Sequence, residues 1–225
     1  MAVKTARDII RDVQVELQDV EGIRWPAAEL VNALNDGQRA IVEADPLSTA
    51  AEVEIDLAPG ARQTIPGAAH ALLEVIRNAA GRRGAITQIQ RAMLDATDPF
   101  WASRAGRLDV EHFMADARRA DAFEVYPPAL AGSRVLALLS MTPADVPAPS
   151  GGQASSVANQ TTFMDERFAN ALRHYVLFRA YSKDAEFSAN SALAASHKAL
   201  FDQAIGADAQ AAATAHPSTT NDPTT

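Results

Sequence analysis

Five histidines, His70, His112, His174, His197 and His216, are the side chains here best suited to proton transfer or metal ligation near neutral pH. None has the spacing of a close zinc-type pair. His174 and His197 fall on successive predicted helices and can approach one another, but a packed or surface histidine is the simpler reading of each. Asp95 and Asp98 imitate an acid/base pair; with Pro99 following, turn and cap roles fit better. Gly81-Arg82-Arg83-Gly84 is too short for a phosphate loop and lacks the Gly-Lys-Ser/Thr ending. It reads as a basic turn tip, with a nucleic-acid contact as the alternative, and Arg118-Arg119 reads likewise. Trp25 and Trp101 read as core anchors. Cysteine is absent, which removes disulfides, thiolate metal sites and a cysteine nucleophile together. No Gly-x-Ser-x-Gly or triad order occurs. The residues therefore predict no catalytic site, no metal site and no cofactor.

The elements around these residues are those of a folded protein. Hydrophobic residues make up 48% of the 225, which rules out wholesale disorder. The net charge of −8 disfavours a general duplex-DNA binder, which needs a basic face. Residues 1–60 carry 5 basic and 12 acidic side chains, whereas residues 61–140 carry 10 and 8. The first residues do not resemble a secretory signal, and no apolar run approaches a membrane span, so a soluble protein made in the cytoplasm is expected.

Thr5 and Asp8 form a capping-box pattern before an amphipathic helix marked by Ile9, Val13, Leu17 and Val20, with Gly22 as its stop. Trp25-Pro26 opens a second helix, with Leu30, Leu34 and Ile41 buried and Asp45-Pro46 closing it. Residues 52–57 alternate polar and apolar, as a half-buried strand does, and 63–65 can return as a second strand after Pro59-Gly60. Residues 72–77 are ambiguous, 85–89 suit a strand, and 94–101 suit a compact loop or short helix. Residues 123–126 and 134–141 read as strands paired across Pro127-Pro128 and Gly132. Residues 142–162, rich in Pro, Gly and Ser, read as a flexible loop. Helix returns at Asp165, where Phe168, Leu172 and Tyr175 share a face that Phe178 and Tyr181 widen. A last helix spans roughly 184–205, anchored by Leu193, Leu200, Phe201 and Ile205, with Gly206 as its stop. Residues 207–225 have no large apolar side chain and read as a disordered tail.

The expected fold is α+β: mainly a helical bundle from the N- and C-terminal helices (5–44 and 165–205), with a small antiparallel β insertion and a disordered C-terminal tail. One domain covers 1–206, with the insertion at 51–146 and a flexible loop at 147–162; residues 207–225 form the tail.

Several segments then carry a resemblance in order: Thr5-Ala6-Arg7-Asp8-Ile9-Ile10, Arg24-Trp25-Pro26, Leu34-Asn35-Asp36-Gly37-Gln38-Arg39, Arg62-Gln63-Thr64-Ile65-Pro66, Asp98-Pro99-Phe100-Trp101, Tyr126-Pro127-Pro128, and the run from Leu172 to Asp184. The ordered set resembles the adaptor (head–tail connector, head-completion) proteins of tailed double-stranded-DNA bacteriophages. The resemblance implies a structural virion protein at the head–tail interface, forming a ring, usually twelvefold, that joins the portal of the DNA-filled head to the tail. Its implied partners are further copies of itself, the portal protein and a tail or nozzle protein. DNA would pass through the lumen without specific binding, and no membrane is involved. Subunit packing is expected at Phe168, Leu172, Tyr175, Phe178 and Tyr181. Docking to portal or neighbour is expected at Ala213, Pro217, Thr219, Asn221, Pro223 and Thr225. Another tail-completion or tail-tube role, or a non-viral protein-binding scaffold, is the alternative.

Overall fold

The computed structural model describes residues 4–115, 119–183 and 188–215. The chain divides into two compact units, Met1–Asp45 with Pro143–Thr225, and Pro46–Thr142.

The first unit is helical. The Thr5–Asp8 capping box forms in full, each residue's side chain bonding the other's backbone N–H, and starts α1 (Ala6–Glu16). Ile9, Ile10 and Val13 are buried along it. The helix stops at Leu17, five residues before Gly22, so Val20 falls outside it and is exposed. The Asp19 carboxylate accepts the N–H groups of Ile23, Arg24 and Trp25 at 2.8–3.0 Å and knits the turn into α2 (Ala27–Ala44). α4 (Ala169–Lys183) and α5 (Ser188–Ala215) complete the unit. Its core joins Ile9, Val13, Leu30, Leu34, Leu172, Leu177 and Phe201, so helices from both ends of the chain share one apolar interior. Gly37 lets α2 approach α4 closely: a Cβ there would stand 3.0 Å from the Tyr175 ring.

The segment 142–162, read from sequence as a flexible loop, lies in a stretch, 143–163, that runs as a strap fastened to α1 and α2. Three buried amides do the fastening. Gln14 donates to the Gly152 carbonyl and accepts the Ala154 N–H, both at 2.8 Å. Asn35 exchanges two bonds with the Val146 backbone at 2.9 and 3.0 Å. Gln38 accepts the Phe163 N–H at 2.9 Å. Val146 and Val157 add buried apolar contacts.

The second unit corrects the expectation of a mainly helical bundle with a small antiparallel insertion. It holds seven strands in two sheets with a core of their own: β1 (Ala50–Asp56), β2 (Gly60–Thr64), β3 (Ala69–Asn78), β4 (Thr87–Gln88), β5 (His112–Ala115), β6 (Ala122–Ala129) and β7 (Arg134–Met141). One sheet has the order β1-β7-β3, the other β2-β6-β5-β4. The β4–β5 pairing is parallel, so the unit is not wholly antiparallel. Period-2 burial places Val135, Ala137 and Leu139 of β7 inside, opposite Ile55 and Val53 of β1.

Neither expected hairpin forms. β1 pairs with β7 and β2 with β6, and β6 does not pair with β7. The prolines are not a turn: β6 continues through Pro127-Pro128. They lie where the β2–β6 register shifts between Gly60 and Arg62, so their missing N–H groups break no ladder bond there. Residues 69–78 resolve as a strand, residues 91–97 as α3 (Arg91–Thr97), and the 85–89 strand shortens to β4.

The expected disorder of residues 207–225 is corrected over its first part, because α5 passes through Gly206 to Ala215. Gly in a helix costs about 1 kcal/mol, and the alanines around it have the highest helix propensity. Residues 216–225 lie outside the described residues. No helix among the described residues is long and apolar enough to cross a membrane.

Candidate assembly surfaces

The C-terminal helix pair places its aromatic residues against its own chain. Phe168 and Leu172 are fully buried in the helical core. Tyr175 is half-buried, with its ring centroid 4.9 Å from Phe201 and 5.8 Å from Phe178. Tyr181 stacks on His197 at 5.6 Å with an 8° interplanar angle. The structure therefore brings together the five residues assigned to subunit packing, with intramolecular partners. The large apolar side chains that this pair and the strap leave exposed are Leu193, Leu200 and Phe163. Leu193 and Leu200 are thus not the anchors of α5; Ala194, His197, Phe201 and Ile205 make its buried stripe. Ala213 lies on α5, whereas Pro217, Thr219, Asn221, Pro223 and Thr225 lie outside the described residues.

His174 and His197 do meet, Nδ1 to Nδ1 at 3.0 Å. The far nitrogen of His197 lies 3.5 Å from Glu16, which also receives Arg173. Burial pushes the pKa of both histidines below the usual value, and for His174 the neighbouring His197 and Arg173 push the same way. Glu16 pulls both upward without prevailing. A neutral pair sharing one hydrogen bond satisfies this geometry. Among the described residues no cluster of three or more His, Asp or Glu is placed to hold a metal ion.

On the β unit the most exposed apolar surface is an arm built from α3 and the turn after it. No residue of α3 is buried. Met93 is 64% exposed and Phe100 77%, while Trp101 beside them is buried. The Trp101 indole N–H donates to Asp95 at 2.8 Å, and its ring meets Tyr126 edge-on at 6.3 Å. Asp98 accepts the Phe100 N–H at 3.3 Å and pairs with Arg104 at 2.5 Å. Both aspartates thus hold the arm's shape: Asp98 in the turn-and-cap role expected for it, Asp95 instead from within α3 as the acceptor of the indole. The apolar tip they present was not singled out from sequence, although Phe100 flanked by Pro99 and Trp101 was its visible signal.

Charge separates the two units. The residues of the helical unit include 10 basic and 17 acidic side chains, those of the β unit 10 and 11. All ten basic residues of the β unit are arginines; the three lysines, Lys4, Lys183 and Lys198, belong to the helical unit.

These surfaces offer exposed apolar knobs and fixed charges, which suit contact with other macromolecules. No curated protein matches the chain in sequence. A family model described as SU10 adaptor protein matches residues 4–222, nearly the whole chain. That span takes in both units and the ordered motifs from Thr5 to Asp184, so the chain belongs to the SU10 adaptor protein family, structural adaptor proteins of bacteriophages.

Proposed function

We propose that this chain is the subunit of a ring, twelvefold in the manner of the connectors it resembles, that joins the portal of a DNA-filled head to the tail. The observation that carries the reading is the family match over residues 4–222. In a closed ring each subunit presents two different faces to its neighbours. The exposed Met93–Phe100 arm supplies an apolar knob for one such contact, and Leu193 and Leu200 supply another. Tyr175, Phe178 and Tyr181, half-buried on the same helix pair, are proposed to back that second contact. The acidic excess of the helical unit suits a channel wall that repels phosphate and lets DNA pass without sequence recognition.

The C-terminal segment is proposed to dock on the portal or on a neighbouring subunit through Ala213, Pro217, Thr219, Asn221, Pro223 and Thr225. Small side chains suit a narrow groove, and many copies acting together offset the entropy of ordering each one. Among the residues of α5 whose burial is described, Ile205 is the last in the core, so a truncation after Gly206 spares the named core. The test removes residues 207–225 in the parent phage and counts DNA-filled heads joined to tails. A fall in joining supports the docking role; normal joining and DNA retention overturn it. Counting copies per particle by quantitative mass spectrometry tests the ring separately. One copy per particle, none, or a distribution along the tail tube overturns the adaptor reading.

A further inference from the structure

The loop between β3 and β4 is built as a rigid basic tip. Asn78, buried at the end of β3, donates to the carbonyls of Gly84 at 3.2 Å and Val110 at 2.7 Å, and accepts the Val110 N–H at 2.9 Å. Asp109 accepts the Arg82 N–H at 2.9 Å. The same carboxylate lies against Gly81, whose φ of +63° and lack of space for a Cβ reserve the position for glycine. Arg83 holds a φ of 54°, uncommon outside glycine. Residues 81–84 are all exposed. Among the described residues neither the Arg82 nor the Arg83 guanidinium has an ion-pair partner, whereas the neighbouring Arg107 is paired with Glu111 at 3.3 Å.

We propose that Gly81–Gly84 is a phosphodiester-binding tip, in which Arg82 and Arg83 each engage a backbone phosphate of duplex DNA without reading its bases. The guanidinium fork matches phosphate oxygens two at a time, which a lysine ammonium cannot do. A chain of net charge −8 does not attract DNA as a whole, so a contact requires cations that local carboxylates leave unneutralised. The other polyanion of suitable charge is the acidic helical unit of a second copy. The tip offers such a partner little apolar surface, only Ala79, Ala80 and Ala85 beside the arginines and the single exposed Leu108 across the same cleft, and a stable protein interface needs an apolar centre. Two phosphate contacts bind weakly, which suits a duplex that must move past. The inference takes duplex DNA as the polyanion from the proposed function, but the contact is tested on the isolated chain, so its failure leaves the ring reading standing.

The experiment titrates the isotope-labelled full-length protein with a short mixed-sequence DNA duplex and follows backbone amide resonances. The largest shifts are expected at Gly81–Gly84, and a fourfold rise in salt should weaken the apparent affinity about tenfold, the dependence for two neutralised phosphates. Arg82→Ala/Arg83→Ala should abolish the shifts while the spectrum away from the loop stays unchanged, which shows that the variant is folded. The proposal is overturned if the double variant binds as the parent does, or if the largest shifts fall elsewhere. It is also overturned if the loop amides shift with protein concentration in the absence of DNA, which would identify a second copy as the partner.

Discussion

Replacing Gln14 by Leu removes one staple of the strap while keeping the size of the side chain. Gln14 is 1% exposed, so water does not replace what is lost. Two hydrogen bonds of 2.8 Å disappear. Their partners fare differently. The Gly152 carbonyl keeps a second donor, the Ala27 N–H at 2.8 Å, but the Ala154 N–H is left with no acceptor in a buried site. An intramolecular hydrogen bond contributes about 1 kcal/mol net, and an orphaned buried donor costs about 1–3 kcal/mol. The expected destabilisation of the helical unit is therefore about 2–4 kcal/mol. The strap can evade this cost by peeling away, but full release would expose Val146 and Val157 at about 1.5–3 kcal/mol each, more than the orphan itself. Release should therefore be confined to the segment around Gly151–Ser156. Urea unfolding should show the loss in midpoint, and hydrogen exchange should show faster exchange in peptides covering 151–157 but not at Val146. If the midpoint and the exchange at Ala154 both match the parent, the staple carries no stability and the reasoning fails.

Two further outcomes follow from the same unit. Leu172→Ala should destabilise it by about 2–5 kcal/mol through the cavity left in a fully buried site, and a melting curve that matches the parent would contradict its place in the core. The histidine pair sets a pH dependence. Because the folded state lowers both pKa values below 6.5, the unfolded chain binds more protons just below that pH. The pair's contribution is then fully present above about pH 6.5 and is lost as pH falls from there toward the depressed folded values. The melting temperature should fall over that window, and His174→Gln/His197→Gln should flatten the slope; an unchanged slope would assign it to other groups.

The helices were largely legible because their signals are local. A capping box, an apolar stripe and Trp25-Pro26 each act within a few residues, and α1 and α2 start where those signals lie. Their ends were less legible: α1 stops before Val20 and α5 ignores Gly206. Strand existence was legible for β1 from its alternation and for β7 from its short apolar run. Partner choice was not, because it is decided by which apolar faces can share a core, and the choice spans β1 to β7 across most of the unit. Pro127-Pro128 misled for the same reason. Read locally, two prolines mark a turn; in the sheet they sit at a register shift where no N–H is needed.

The residues that resembled chemistry serve the architecture instead, and this explains why the assembly surfaces were harder to read than the helices. Asp95 and Asp98 brace Trp101 and Arg104, and the two histidines share a bond between α4 and α5. The burial of the polar residues that matter most to the helical unit went unread, because a polar side chain on a helix reads as solvent-facing. Gln14 lies between Ile10 and Leu17 on the apolar stripe of α1, and Gln38 lies between Leu34 and Ile41 on that of α2. A buried amide must find partners for its donors and acceptor, and the backbone groups inside a helix are already bonded to one another. The partners had to come from irregular chain, so polar interruptions of two stripes and a Pro/Gly-rich segment with no periodicity of its own were parts of one pattern. The backbone of residues 143–163 has few bonds of its own to make and meets those two amides at Gly152, Ala154 and Phe163, and that of Asn35 at Val146. A surface for another subunit carries no such obligation inside the chain. Phe100 and Leu200 stand exposed with nothing in their own unit demanding it. In the proposed ring that demand would come from a neighbouring subunit, which no pattern within one chain's own core records.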